Sequence, residues 1–186
     1  MEKRNNIIRI AITGPESTGK TTLAQELAKH FETAWVPEYV REYFEKYGSN
    51  YNYNDLEKIA RGQLALEEKI AQQTNRFLFA DTEMLVMKIW SQYKYGKCSP
   101  WILNAIETHH YDLFLLCDID LPWQYDPLRE TPSEAERKAI FDLYKTELEH
   151  YKFPYAIILG QGKERIENAI RIINSSLENH NKLTKN

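Results

Sequence analysis

Apolar runs and amphipathic stretches alternate along this chain in a way that predicts most of its elements. The run Ile7-Ile8-Arg9-Ile10-Ala11-Ile12 reads as a strand, and the stretch beginning at Thr22 reads as a helix with Leu23, Leu27 and Phe31 on one face. Residues 33–36 form a short buried strand, and a second helix is expected to begin within residues 37–43. Residues 48–54 make a polar loop rich in Tyr and Asn, with Asn54 or Asp55 capping a helix that carries Leu56, Ile59, Ala60, Leu66 and Ile70. Gly62 lies near the middle of that helix, where it costs about 1 kcal/mol relative to alanine. Close approach of a ligand or a helix accounts for it, and so does neutral drift.

The alternation continues. Arg76-Phe77-Leu78-Phe79-Ala80 is an apolar strand ending at Asp81-Thr82-Glu83, followed by a helix with Leu85, Ile89 and Tyr93. Residues 96–100 break it, and a shorter helix brings Ile102 and Ile106 inward. Asp112-Leu113-Phe114-Leu115-Leu116-Cys117 is a fourth strand, and residues 118–132 are too polar and proline-rich for an element. Ser133 and Glu136 form a capping box for a helix bearing Ile140, Leu143, Tyr144 and Leu148. Tyr155-Ala156-Ile157-Ile158-Leu159 is the fifth strand; Gly160-Gln161-Gly162 then turns into a last helix with Ile166, Ala169, Ile170, Ile173 and Leu177 inward. Residues 179–186 are expected to fray.

Strands that are apolar throughout and alternate with helices predict an α/β fold: a five-stranded parallel sheet with helices on both faces, in three layers. One domain is expected over residues 1–178, with a lid segment after the fourth strand at about 118–137. Ligands of such sheets lie beyond the carboxyl ends of the strands, so the loops there carry the chemistry.

Composition narrows the classes. In 186 residues the net charge is −3, and the scattered basic residues form no stripe for nucleic acid and no membrane anchor. Cys98 and Cys117 fit neither a disulfide framework nor a metal knuckle. Met1 to Asn6 lead into the first strand without a signal-peptide block, and no apolar run reaches membrane-spanning length. A cytoplasmic protein is expected. His30, His109, His110, His150 and His180 lack zinc-ligand spacing and read as surface residues.

One stretch is specific. Gly14-Pro15-Glu16-Ser17-Thr18-Gly19-Lys20-Thr21 is GxxxxGK[ST], with a strand before it and a helix, beginning with Thr22, after it. Backbone N–H groups of such a P-loop converge on a polyphosphate at a positive helix end. Lys20 is expected on the β- and γ-phosphates and Thr21 on Mg²⁺. ATP and Mg²⁺ are the expected cofactors of a P-loop NTPase fold. Phosphoryl transfer also needs a magnesium anchor and a group that takes the proton of the attacking hydroxyl. Glu38 is the choice for the base and Asp81 for the metal side; sequence alone allows the roles to be exchanged. Arg129, together with Arg137, is placed to swing onto the transferring phosphoryl group. Trp123 suggests contact with a ring or a helix. Gly160 and Gly162 are placed to run along the adenine ring.

These pieces, with Glu38-Tyr39-Val40-Arg41-Glu42-Tyr43, Ile59-Ala60-Arg61-Gly62-Gln63, Asp81-Thr82-Glu83 and Pro122-Trp123-Gln124-Tyr125-Asp126-Pro127-Leu128-Arg129, occur in an order that resembles the ribosylnicotinamide kinase domain of NadR-type proteins. The resemblance spans residues 7–173. It implies transfer of the ATP γ-phosphate to the 5′-hydroxyl of nicotinamide riboside, for NAD salvage. It also implies Glu38, Tyr39, Arg41, Gln63, Asp81, Trp123 and Asp126 at the substrate, with Asp126 and Arg129 in the lid. Two departures stand out. No histidine-bearing nucleotidyltransferase motif is found, so a stand-alone kinase module is expected. Pro37 occupies the place where relatives carry a tryptophan suited to stacking the nicotinamide ring, which leaves Trp35, Tyr39 or Trp123 to stack it, or a different acceptor. A kinase for another nucleoside or small metabolite, and an ATP-binding regulatory module, are the competing readings. The absence of DxxG and [NT]KxD stretches disfavours a GTPase, and the absence of a consecutive acidic pair after a strand disfavours an AAA-type motor.

Overall fold

The structure, a computed structural model, describes residues 7–74, 76–127 and 129–183, with side chains through Leu177. Met1–Asn6, Leu128 of the expected lid, His180 and the end of the tail lie outside the described residues or side chains.

Strands β1 (Ile8–Thr13), β2 (Ala34–Val36), β3 (Phe77–Asp81), β4 (Leu113–Cys117) and β5 (Tyr155–Ile158) form one sheet in the order β2-β3-β1-β4-β5. Every pairing is parallel; Ile12 lies opposite Asp81 on one side of β1, and Thr13 opposite Leu116 on the other. Alternation along the strands sends Ile10, Ile12, Phe77, Phe79, Leu113 and Leu115 to one face and Ala11, Leu78, Ala80, Phe114 and Leu116 to the other. Both sets are buried, which is why each strand reads as an unbroken apolar run.

The first face is covered by α1 (Lys20–His30), through Leu23, Ala24 and Leu27, and by α7 (Gly162–Leu183), through Ala169 and Ile173. The second carries α2 (Tyr39–Tyr47), α3 (Tyr53–Ala71), α4 (Met84–Tyr95), α5 (Pro100–Thr108) and α6 (Glu134–His150). Helix α4 is the innermost. Met84 through Ile89 are all buried because it packs between the sheet and α3, α5 and α6, so it is apolar nearly all round.

Four details differ from the sequence reading. The cap of α3 is Asn52, whose side chain accepts from Asn54 N at 2.9 Å while Asp55 accepts from Asn52 N at 3.0 Å. Asp55 is thus the third helical residue of a reciprocal box. Leu143 is 44% exposed, since the buried face of α6 runs through Arg137, Ile140, Phe141, Tyr144 and Leu148. The backbone expected to fray remains helical to Leu183. His109 is half-buried because the fully buried Glu67 needs donors: Arg9 Nη1 at 2.6 Å, Tyr111 Oη at 2.6 Å and His109 Nε2 at 2.9 Å.

Candidate active site

The strand ends deliver the site. After β1 the chain turns at Gly14 with φ +132°, and a Cβ there would stand 2.8 Å from the Cys117 carbonyl oxygen at the end of β4, so only glycine fits. The loop then wraps to Gly19, which precedes α1. Its first carbonyls hold the ammonium of Lys20, at 2.9 Å from Gly14 O and 2.7 Å from Pro15 O. This folds the lysine back over the loop, where its charge faces the cavity that the loop borders.

From the end of β3, three consecutive residues take three different tasks. Asp81, 1% exposed, accepts from Thr21 Oγ1 at 2.6 Å. Burial raises its carboxyl above the ordinary value, against the pull of Lys20 and of the Thr21 hydroxyl. Thr82 has φ +81°, a conformation that a β-branched residue adopts only under constraint, and places its hydroxyl 3.5 Å from Glu38 Oε1. Glu83 turns inward as the cap of α4, accepting from Leu85 N at 2.5 Å and Thr13 Oγ1 at 2.9 Å, and burial pushes its carboxyl up to about 7.

Glu38 ends the loop after β2 and stands at the N-cap position of α2, its side chain making no capping bond to the helix. Its carboxyl is raised by loss of water and then by the charge of Asp81, with Lys20 and Arg41 opposing. Arg41 lies 3.5 Å from Glu38 Oε2 and donates to Asp126 at 3.1 Å, tying α2 to the segment between β4 and α6. That segment is also fastened to the phosphate loop. Glu16 accepts from Glu130 N at 2.9 Å, and from Thr131 N at 3.0 Å and Thr131 Oγ1 at 2.8 Å. Ser17 accepts from Gln124 N at 2.8 Å and from Arg129 Nη1 at 3.3 Å.

A cavity of about 480 Å³ opens between these parts. Glu16, Ser17, Thr18, Gly19, Lys20, Thr21, Thr22, Glu38, Arg41, Asp81, Arg129 and Gly162 all line it, so groups far apart in sequence meet at one mouth. Seven expected residues lie outside the lining. Gly14 shapes the loop from behind. The Tyr39 ring lies on Gly62 of α3, where a Cβ would come within 1.9 Å of it. Gln63 is buried, its carbonyl accepting from Tyr39 N at 2.7 Å and its amide donating to Pro37 O at 3.2 Å. Trp123 is half-buried in the segment between β4 and α6, Asp126 is engaged with Arg41, and Gly160 donates its N–H to Asp120 at 2.7 Å. Arg137, expected at the phosphoryl group, is 3% exposed and donates to Ile119 O and Leu121 O instead.

The sequence reading missed Arg165. It is buried, donates to Asp120, Gly160 O, Thr18 O and Asp118 O at 2.7–3.0 Å, and joins the phosphate loop to the β4 and β5 loops. An arginine in the opening turn of a helix, where the dipole favours acids, was its one signal. Thr82 and Glu83 stand in the Asp81-Thr82-Glu83 stretch of the resemblance, which gave them no task of their own.

Thr21 and Asp81 supply a hydroxyl and a carboxylate on one spot, the all-oxygen donors that Mg²⁺ takes together with phosphate oxygens. Among the described residues no group of three or more His, Cys, Asp or Glu side chains is gathered for a metal. The residues present fit a cation shared with a phosphate chain.

Fold and cradle define a P-loop nucleotide-binding protein. A profile of the family described as "AAA domain" matches residues 9–165, and the chain belongs to that P-loop family. It is homologous to NadR: the trifunctional NAD biosynthesis/regulator protein of Salmonella typhimurium is 33% identical over 138 residues, 72% of this chain and 34% of that protein. The chain thus spans about a third of the length of this curated relative. A NadR structure in complex with NR superposes with TM-score 0.76 at 20% identity, over 91% of this chain and 51% of that one. Deoxyadenosine kinase from M. mycoides with bound dCTP superposes with TM-score 0.58 at 18% identity, over 90% of this chain and all of that one. Among the described residues no helix is long and apolar enough to cross a membrane.

Proposed function

We propose that this protein is a kinase that transfers the γ-phosphate of ATP to the 5′-hydroxyl of nicotinamide riboside. The observation that carries this reading is the meeting of Glu38 and Asp81, from the ends of different strands, at the mouth of a phosphate loop with space left beside them. A nucleotide holder needs no second carboxylate there; a kinase with a small alcohol acceptor does. The relationship to NadR and the NR named for one NadR structure favour nicotinamide riboside as that alcohol.

The hydrogen bonding supports a division of roles between the two carboxylates. Asp81 is bonded to Thr21 and so takes the magnesium side with it. Bound Mg²⁺ would screen the phosphate charge and hold the phosphates in line. Glu38 has no bond to the loop; it accepts the proton of the attacking hydroxyl while Thr82 and Arg41 hold it in place. Its raised carboxyl brings its basicity closer to neutrality, where a base works best. Lys20 and Arg129 neutralise the charge that builds on the transferring group.

ADP release with ATP and Mg²⁺, measured against a panel of nucleosides, tests the reading. Stimulation by nicotinamide riboside above all others is expected. Stimulation by a deoxynucleoside or pyrimidine nucleoside instead moves the protein to the runner-up, a nucleoside kinase, which the likeness to deoxyadenosine kinase favours. ATP binding without stimulation by any acceptor sinks both.

A further inference from the structure

Resting on the kinase reading, we propose that Trp90 is the plane against which the acceptor's aromatic ring lies. Pro37 leaves the loop after β2 without an aromatic side chain, and the three substitutes weighed from sequence are all committed elsewhere. The Tyr39 ring is packed on Gly62. Trp35 packs with the cluster on the opposite face of the sheet, beside α1. Trp123 does not line the cavity. The remaining tryptophan besides Trp90, Trp101, stacks under the Arg61 guanidinium at 4.1 Å.

Trp90 lines the cavity on the acceptor side. It stands on α4 with Val86 and Met87, positions that share one face of the helix, and Val40 and Phe44 of α2 line the same cavity. The two other aromatic rings in the lining, Phe44 and Tyr51, are stacked on each other at 5.3 Å, and the Lys94 ammonium lies 4.3 Å from the Tyr51 ring. Gly162 and Ile166 of α7 line the cavity from the other face of the sheet, so the two ends offer separate places for two rings. Glu38 stands at the start of α2 and Asp81 at the end of β3, just ahead of α4, so both carboxylates come from segments leading into the two helices that line the Trp90 side. An indole face there suits a planar heterocycle, and a cationic pyridinium more than a neutral ring, because the face carries the negative end of the ring quadrupole.

The test is calorimetric binding of nicotinamide riboside and of ATP to the wild type, Trp90→Ala and Trp90→Phe, with melting curves to show that each variant is folded. Loss of a base-stacking partner is expected to weaken acceptor binding about tenfold to a hundredfold in Trp90→Ala. Trp90→Phe should restore most of it, and ATP affinity should stay within about twofold in both. Folded Trp90→Ala that binds nicotinamide riboside within about threefold of the wild type overturns the inference, and leaves the proposed reaction standing if turnover persists. If the wild type turns over another nucleoside and not nicotinamide riboside, the proposed acceptor fails, and the same comparison with that nucleoside decides for or against Trp90. A wild type that binds no nucleoside overturns both.

Discussion

Gly62→Ala puts two well-known effects in opposition, and the structure decides the sign. In an exposed helix interior the change stabilises by about 0.8–1 kcal/mol through helix propensity. Here the new Cβ would stand 1.9 Å from Tyr39 Cε1 and 2.4 Å from Cδ1, so the ring must leave its place. The residue cannot simply withdraw, because the Tyr39 backbone N–H is held by Gln63, the next residue of the same helix, at 2.7 Å. Overpacking of this kind costs about 1–3 kcal/mol, or more when the backbone follows. The net expectation is a loss of up to about 2 kcal/mol, which lowers the melting temperature by up to roughly 8 °C in a chain of this size. A displaced Tyr39 also moves Glu38, so turnover should fall with stability. Urea unfolding of wild type, Gly62→Ala, Tyr39→Ala and the double variant measures the coupling. With the ring removed, the alanine should become stabilising by roughly 0.5–1 kcal/mol. If Gly62→Ala stabilises the protein while Tyr39 is intact, the packing account is wrong.

Other consequences follow from the same geometry. Lys20→Ala should lower turnover by far more than tenfold, and retention of over a tenth of the rate, a loss under about 1.4 kcal/mol, contradicts its proposed role. Asp81→Asn should raise the Mg²⁺ concentration needed for half-maximal rate, whereas Glu38→Gln should lower kcat at saturating Mg²⁺. Because the Glu38 carboxyl is raised and the base must be ionised, wild-type activity should rise with pH through a value above the ordinary carboxylate range, and the Glu38→Gln profile should lack that limb. Glu83 is raised from 4.5 to about 7 on folding. Its contribution to stability is therefore full below about pH 4.5 and lost as pH rises to about 7, a change on the order of 3 kcal/mol. Urea midpoints at pH 5 and pH 8 should show that decline in the wild type and a smaller one in Glu83→Gln. Glu16→Ala removes the acceptor that holds Glu130 and Thr131, and is expected to lower kcat about tenfold or more with little change in melting temperature. Equal kcat in this variant and the wild type would refute a role for that link in catalysis.

Much of this protein was written in local patterns. The alternation of apolar runs with amphipathic stretches determined a parallel sheet with two covered faces, since only strands buried on both sides read that way. The glycine and lysine spacing from Gly14 to Thr21 determined the phosphate cradle, because the motif is contained in one continuous segment. The carboxylates could be nominated for the same reason: parallel strands deliver their following loops to one edge, so Glu38 and Asp81 had to emerge there. What sequence could not give was direction and partnership. Tyr39 stands in a motif beside Glu38 and Gln63 in a separate motif on α3, yet the two turn toward each other and not into the cavity: the Tyr39 ring lies on Gly62, and Gln63 holds Tyr39 N and the Pro37 carbonyl. Arg165 and Trp90 carry no motif, and they reach the cavity only because α7 and α4 are packed against opposite faces of the sheet. Which face of a buried helix looks into a cavity is set by what the other faces touch, and those contacts join residues scores of positions apart.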